Sequence, residues 1–383
     1  MENSMPELKK EFAHTLRQLD FEAMPISRYN KDYISHIMKN IEYYIDIYDY
    51  CFIMFDESGI NEKDQYTMVD YGGGHGFFSM YAQKRGMDRI IYVDKNPDSV
   101  HTAKYLKEVT GLGADVMICG DENDLIKYCD DNGITPNLLV GIDVIEHIYD
   151  IKKYFKTLMM QWPFLTHIYA TGSVPYNPKV CGRLNKVIVA DEHGTGKKTG
   201  YLELRRRYIA EHYPEKSGEG AYTLAQLTRG MTYEDIDRYM NGEIEPFESE
   251  FYNTCDPATG NWTERILTEK EYQSMVEQYG YSLFIDDGFY NTNGRGLKQC
   301  VAKMLNKRID RNVECSPIAP FMVISMMQYK LHENDKDDLE VIRKKSEKEL
   351  LMHVQKRSRE WDMIVEMLSK MREENIKQKS NNR

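Results

Sequence analysis

The residues best suited to chemistry lie where a short apolar run gives way to glycine. In VDYGGGHGFF the run delivers Asp70, then Gly72, Gly74 and Gly76 at alternate positions, and a helix opens near Phe77. Residues without a Cβ turn tightly and adopt positive φ, so such a loop brings main chain close to a ligand. The spacing is not GxGxxG, because position 77 is Phe77, and an acid two residues before the first glycine is no part of that motif. A second run, IIYVD, ends in Asp94, where a carboxylate accepts hydrogen bonds from two ribose hydroxyls and disfavours a 2′-phosphate. Asp94 also precedes Asn96-Pro97, an ordinary helix start. A third run ends in CGDEN with Asp121, and a fourth, LLVGIDVIEHIYD, ends in Asp143, Glu146 and His147. Two carboxylates and an imidazole in one loop suit a general base or ligands for a divalent metal. Asp143 and Glu146 equally suit a cap on the helix that follows. Asp191, Glu192 and His193 in VADEHGTG make a second polar cluster, read either as reaching an acceptor or as a solvated loop.

These residues need a frame that brings strand ends to one edge. Five apolar runs, YTMVDYG, DRIIYVD, ADVMICGD, PNLLVGIDVI and THIYATGSV, alternate with amphipathic stretches. That is the pattern of a parallel sheet covered on both faces and wound by right-handed crossovers. Ligands of such sheets bind beyond the carboxyl ends of the strands, and three consecutive runs end in an acid there. Upstream, Tyr33, Ile34, Ile37, Ile41, Tyr44, Ile45 and Tyr48 recur at helical spacing, predicting one helix that opens near Asn30 within a helical cap over 1–62. Residues 176 to about 262 break the alternation and read as an insertion without strand period. A helix then starts at Thr268, with Glu271 at capping-box spacing. YSLFIDDGFYN and PFMVISMMQYK read as the last strands, with a helix over GRGLKQCVAKMLNKR between them. In the charged extension over 331–383, Leu351, Val354, Trp361, Val365 and Leu368 fall on a partial heptad, predicting a long helix that docks on its own domain or forms a homodimer.

Taken together, the DxGxG spacing from Asp70, the acid at Asp94 and the D-x-x-E-H sequence at Asp143, Glu146 and His147 resemble the class I S-adenosylmethionine-dependent methyltransferases of small-molecule type. The resemblance covers residues 60 to 175 closely and 263 to 330 loosely. It implies an α/β, Rossmann-like, seven-stranded mostly parallel sheet with helices on both faces and the final strand inserted antiparallel. To this are added the N-terminal cap, an insertion after the fifth strand within a domain over 63–330, and the C-terminal extension. It implies S-adenosyl-L-methionine as cofactor, with Asp70, Gly72, Gly74 and Gly76 against its methionine portion, Asp94 on the ribose, Asp121 at the adenine amino group and Asp143 beside it. The implied catalytic group is Asp143, Glu146 and His147, with His193 as a further candidate. Some relatives bind a divalent metal at this loop and draw another histidine from the segment before the next helix. Here Trp262 stands in that place, which weakens the metal reading, leaves His193 as a replacement ligand and favours His147 as a general base. The acceptor reads as a small molecule, a saccharide or sugar nucleotide first and a phenolic or quinone precursor second. A cofactor-binding scaffold without catalysis stays open. Lys197, Lys198, Arg205, Arg206 and Arg207 form a basic patch that suits phosphate, although Glu203 and Arg207 at four-residue spacing also suit a salt-bridged helix face.

Bulk properties narrow the classes. A chain of 383 residues, 41% hydrophobic, has room for one elaborated domain or two. A net charge of −11 argues against a nucleic-acid or membrane partner. Seven cysteines without a CxxC pair suit the reduced thiols of a cytoplasmic protein. The first twenty residues offer no secretory apolar region, and the run from Pro320 to Met327 is far short of the roughly 20 residues that cross a bilayer. A nicotinamide dehydrogenase lacks its glycine at Phe77.

Overall fold

The computed structural model describes residues 5–57, 66–309 and 315–327. The expected C-terminal helix, with its heptad from Leu351 to Leu368, lies outside the described residues. Seven strands, β1 (Thr67–Tyr71), β2 (Arg89–Asp94), β3 (Val116–Cys119), β4 (Leu138–Ile142), β5 (Thr166–Thr171), β6 (Ser282–Asp287) and β7 (Met322–Met327), make one sheet. Its order is β3-β2-β1-β4-β5-β7-β6. The first five strands pair in parallel. β7 enters antiparallel between β5 and β6, with Ile324 opposite Tyr169 on one side and Ile285 on the other. The seven strands, the parallel majority and the inverted final strand are those the resemblance implies.

Strand residues alternate between two apolar faces, so both must be covered. Met68, Tyr92 and Val140 face helices α1 (Met5–Arg17), α2 (Arg28–Met38), α3 (Ile41–Glu57), α4 (Phe77–Arg85) and α5 (Pro97–Thr110), meeting Phe12, Phe52, Phe77 and Leu106 in one core. Val69, Val93 and Leu139 face α6 (Glu122–Asn132) and α7 (Ile151–Gln161), meeting Leu125, Phe155 and Leu158 in the other.

The helix expected to open near Asn30 and run on through Tyr48 is two. α2 starts at Arg28 behind Ser27, whose hydroxyl accepts the Asn30 N–H. The Asn40 N–H then bonds to Ile37 three residues back, and the Asn40 carbonyl accepts from Tyr43 and Tyr44, so α3 restarts one residue on. α3 is tied to the far end of the sheet, where Tyr43 donates to the Phe289 carbonyl at 2.8 Å and Tyr50 to Asp286 at 2.6 Å.

The insertion, expected only to lack a strand period, is largely helical. It comprises α8 (Pro178–His193), a hairpin pairing Gly194–Thr195 with Lys198–Thr199, then α9 (Tyr201–His212), α10 (Glu219–Leu227) and α11 (Tyr233–Met240). Leu202, Ile209, Ala221, Ala225, Met231 and Ile236 give it a small core of its own. α12 (Glu269–Val276) follows with the expected reciprocal cap between Thr268 and Glu271, and α13 (Leu297–Arg308) leads towards β7. Among the described residues, no helix is long and apolar enough to cross a membrane.

Candidate active site

The loop after β1 is shaped by backbone. Gly72, Gly74 and Gly76 take φ of 68°, 53° and 83°. A Cβ on Gly72 would stand 2.4 Å from Val144 Cγ2, so the end of β4 packs directly on the loop. Gly73, absent from the sequence candidates, is as constrained: a Cβ there would lie 2.5 Å from the Tyr92 ring and 2.8 Å from Asp70 Oδ2. The Tyr92 hydroxyl donates to the Gly74 carbonyl at 2.6 Å. Asp94 accepts from the Gly74 N–H at 2.9 Å and from the Asn96 N–H at 2.7 Å, so it braces the loop and the start of α5 together. Burial pushes its carboxyl up, against the pull of those two N–H donors.

Above the loop a narrow pocket is lined by Asp70, the glycines, His75 and Phe78, by Ile142 and Asp143 from β4, and by Tyr33, Ile37, Tyr44 and Tyr48 from α2 and α3. Asp70 is 3% exposed, accepts from the Ser79 hydroxyl at 2.6 Å, and is pushed by burial up to about 7. His75 accepts the Phe77 N–H on Nδ1 at 3.2 Å, and burial pulls it down to about 3, so it is neutral at neutral pH. The Tyr33 ring rests on His75 at 5.3 Å. The tyrosines were legible as a helix stripe but not as pocket walls, since the periodicity that places them on one face does not say what that face meets. A wider groove between α1 and α3, lined by Lys9, His14, Arg17, Glu42 and Asp46, contains no residue of the strand ends. The smaller pocket is the one that meets the strand ends.

The loop after β4 gathers three carboxylates. Asp143 has φ of 51° and Glu264, from the segment before α12, has φ of 47°. Positive φ strains a residue with a Cβ, and such strain concentrates at functional sites. Asp143 is exposed towards the pocket yet crowded by protein on its other sides, and that crowding, then Glu264, raise its carboxyl to about 6 against the opposing influence of His147. Glu146 is 2% exposed with Oε2 unpartnered, and burial, then Asp143, hold it well above the usual carboxylate range. Ser173 donates to Glu264 at 3.3 Å, and the Arg265 N–H donates to the Glu146 carbonyl at 3.2 Å, which lays Glu264 alongside. Sequence reasoning missed Glu264, since no motif marks it. α7 is capped by Asp150, which accepts the Lys153 N–H, so Asp143 and Glu146 are not its caps.

His147 ends a single 3-10 turn over Ile145–His147. Its Nδ1 lies 2.8 Å from the carbonyl oxygen of Trp262. A carbonyl only accepts, so Nδ1 carries the hydrogen and Nε2 the lone pair, an assignment made from the partner. The residue standing where a further histidine was sought thus touches His147 through its main chain.

Other candidates are placed differently. Asp121 is the N-cap of α6, accepting the Asn123 N–H at 2.9 Å in a capping box with Asp124. His193 is exposed at the end of α8, where its ring stacks on Tyr252 of the insertion. Glu192 is no surface residue, for it pairs at 2.6 Å with Arg205, which is fully buried. Arg206 and Arg207 both pair with Glu203, and Lys198 with Asp191. The expected basic patch is therefore largely neutralised by its own neighbours, and its central arginine is core. Among the described residues, no three His, Cys, Asp or Glu side chains form a metal-holding group.

The strand order, with its last strand inverted, is that of a Rossmann-like, mostly parallel α/β sheet. No family model and no curated protein matches the chain. Solved structures similar to it include a plantazolicin methyltransferase, BamL, in complex with a triazolic desmethylPZN analog and SAH, at 13% identity and a TM-score of 0.40, covering 85% of this chain and 99% of that one. Another is an S-adenosylmethionine-dependent methyltransferase from Clostridium acetobutylicum ATCC 824, at 13% identity and a TM-score of 0.42, covering 79% and 100%. A third is the magnesium protoporphyrin IX methyltransferase ChlM from Synechocystis PCC 6803 with bound SAH, at 10% identity and a TM-score of 0.37, covering 76% and 87%. At such distances the chemistry of this chain is argued from its own residues.

Proposed function

We propose that this chain is an enzyme that transfers a methyl group from S-adenosylmethionine to a small acceptor. The observation that carries the reading is the pocket over the glycines, whose walls among the described residues are largely aromatic and carry the carboxyls of Asp70 and Asp143 with no Lys or Arg. S-adenosylmethionine bears a sulfonium and an α-ammonium, and aromatic faces and carboxylates favour cations. The pyrophosphate of a dinucleotide would meet Asp70 at the start of α4, where it would need N–H donors alone. The residues fit the cofactor: Asp94 keeps lone pairs for the ribose hydroxyls, Asp70 and Asp143 face the cationic part, and Asp121 keeps an oxygen for the adenine amino group. When bound, the cofactor supplies an electrophilic methyl carbon. The chain's part is to hold the acceptor in line with that carbon, a positioning effect able to supply most of the rate, and to take the acceptor's proton on His147 Nε2. Asp143 beside it stabilises the resulting imidazolium. No step needs a metal.

The acceptor reading changes in one respect. With Arg205, Arg206 and Arg207 already paired, nothing favours a phosphate, so an uncharged saccharide or a phenol fits the acid-lined loop better than a sugar nucleotide. The helical insertion and the Trp262–Arg265 segment would set its specificity. Calorimetry with S-adenosylmethionine and with NAD is the first test: binding of the former and not the latter is expected, and the reverse sinks the proposal. Release of S-adenosylhomocysteine over a panel of saccharides and phenols then separates an enzyme from a silent scaffold.

A further inference from the structure

His147 is held by a residue whose place is set by the insertion. The Trp262 carbonyl receives the His147 Nδ1–H at 2.8 Å, and that carbonyl is itself fixed from several sides. The Trp262 indole N–H donates to the Tyr149 carbonyl at 3.0 Å, and its ring stacks on Tyr149 with centroids 6.0 Å apart and planes 22° from parallel. Arg265 lies over the same indole at 4.4 Å and donates to the Tyr149 carbonyl as well. Residues 262 to 265 are thus zipped along 146 to 149. Behind them, Thr263 donates to Asp191 of α8 at 2.9 Å, and the Tyr149 hydroxyl donates to Asp235 of α11 at 2.6 Å while accepting the Thr232 N–H at 2.9 Å. Gly260, at φ of 73°, leaves room for the Tyr149 ring, 2.8 Å from where a Cβ would stand.

We infer that Trp262 is the positioning residue of the base: its carbonyl keeps the proton of His147 on Nδ1, leaves Nε2 as the nitrogen that receives the acceptor's proton, and is held there by α8 and α11 of the insertion. A histidine tautomer is set by the bond its other nitrogen makes, and a base aligned this way presents its lone pair in one fixed direction. The insertion then does more than shape the acceptor's cavity, because any shift of α11 reaches His147 through Tyr149 and Trp262. The use of Nε2 as a base rests on the methyl-transfer reading; the tautomer does not.

Long-range proton–nitrogen correlation spectra of 15N-labelled full-length protein read the tautomer directly, without cofactor or acceptor, at an alkaline pH where imidazole is neutral. His147→Ala assigns the signals. The expected result is a His147 ring protonated on Nδ1. Trp262→Phe, which keeps a ring but loses the indole donor, should convert it to a mixture with the Nε2–H form, and Tyr149→Phe should shift it the same way to a smaller extent. A ring protonated on Nε2 in the unaltered protein, or a spectrum indifferent to both substitutions, overturns the inference. S-adenosylmethionine affinity, read beside it by calorimetry, keeps the two claims apart. An Nδ1–H ring in a protein that binds no cofactor overturns the methyl-transfer reading and leaves the positioning role standing.

Discussion

On the proposed methyl-transfer reading, the cofactor side and the acceptor side of the site are built from different materials. The first centres on a contiguous stretch from Asp70 to Asn96, shaped by glycines at positive φ and closed by main-chain N–H groups on Asp94, with Tyr33, Tyr44 and Tyr48 of α2 and α3 as further walls. The second is assembled from the β4 loop, Ser173, the Trp262–Arg265 segment and two helices of the insertion, and depends on side chains meeting across long separations. Backbone geometry tolerates few residue types, whereas a long-range side-chain assembly can be rebuilt with others. On that reading the difference teaches that the acceptor can be exchanged by substitutions that leave the glycine loop untouched.

That separation can be broken or sharpened by substitution. The largest effect is expected for Glu192→Ala, which leaves the Arg205 guanidinium buried without its carboxylate and should cost about 3–5 kcal/mol in denaturant titration. Cofactor affinity at low temperature should survive; a parallel fall would show that the two halves are one unit. His147→Ala should lower turnover by roughly 10²–10⁴ at saturating acceptor with cofactor affinity intact, and full turnover would end its role as base. Asp94→Ala should weaken S-adenosylmethionine by about 1.5–3 kcal/mol in calorimetry, as an ionised acceptor is lost. Unchanged affinity in a folded variant would remove Asp94 from the site.

The smallest effect is a slope. Asp70 sits at about 7 in the fold against an ordinary 3.8, so the native state binds more protons, and the group's contribution to stability, full below 3.8, is lost as pH rises to about 7. His75, held at about 3 against 6.5, acts oppositely, its contribution being lost as pH falls from 6.5. Asp70→Asn should therefore make the slope of stability against pH more positive between these limits, and His75→Asn more negative. An Asp70→Asn curve parallel to the parent's would mean that Asp70 is ionised throughout.

The glycine loop and the strand-end acids were readable in the chain because they are local signals. The sheet was readable too, since strands covered on both faces are unbroken apolar runs. What escaped did so for physical reasons. The stripe from Tyr33 to Tyr48 keeps its phase across the break at Asn40, so periodicity cannot see that α2 stops. The insertion's helices bury only a few residues each, too few to raise a pattern above their glycines and charges. Arg205 looked like surface because its partner, Glu192, lies on another helix. Glu264 carries no signature at all, and it reaches the loop through long-range contacts, the Arg265 N–H on the Glu146 carbonyl and the Ser173 hydroxyl on Glu264 itself.

The inverted strand has a consequence for assembly. β6 shares no ladder with β5 and joins the sheet only through β7, which comes last in chain order. During synthesis the first five strands can zip in sequence, but the edge of β5 stays open until the insertion, β6, α13 and β7 have all emerged. Every residue of β5 is buried in the finished protein, so that edge, with its row of unpaired N–H and C=O groups, is a template of the kind that recruits other chains. A nascent or truncated chain lacking Met322–Met327 would carry it exposed, and its natural partner would be the same edge on another copy.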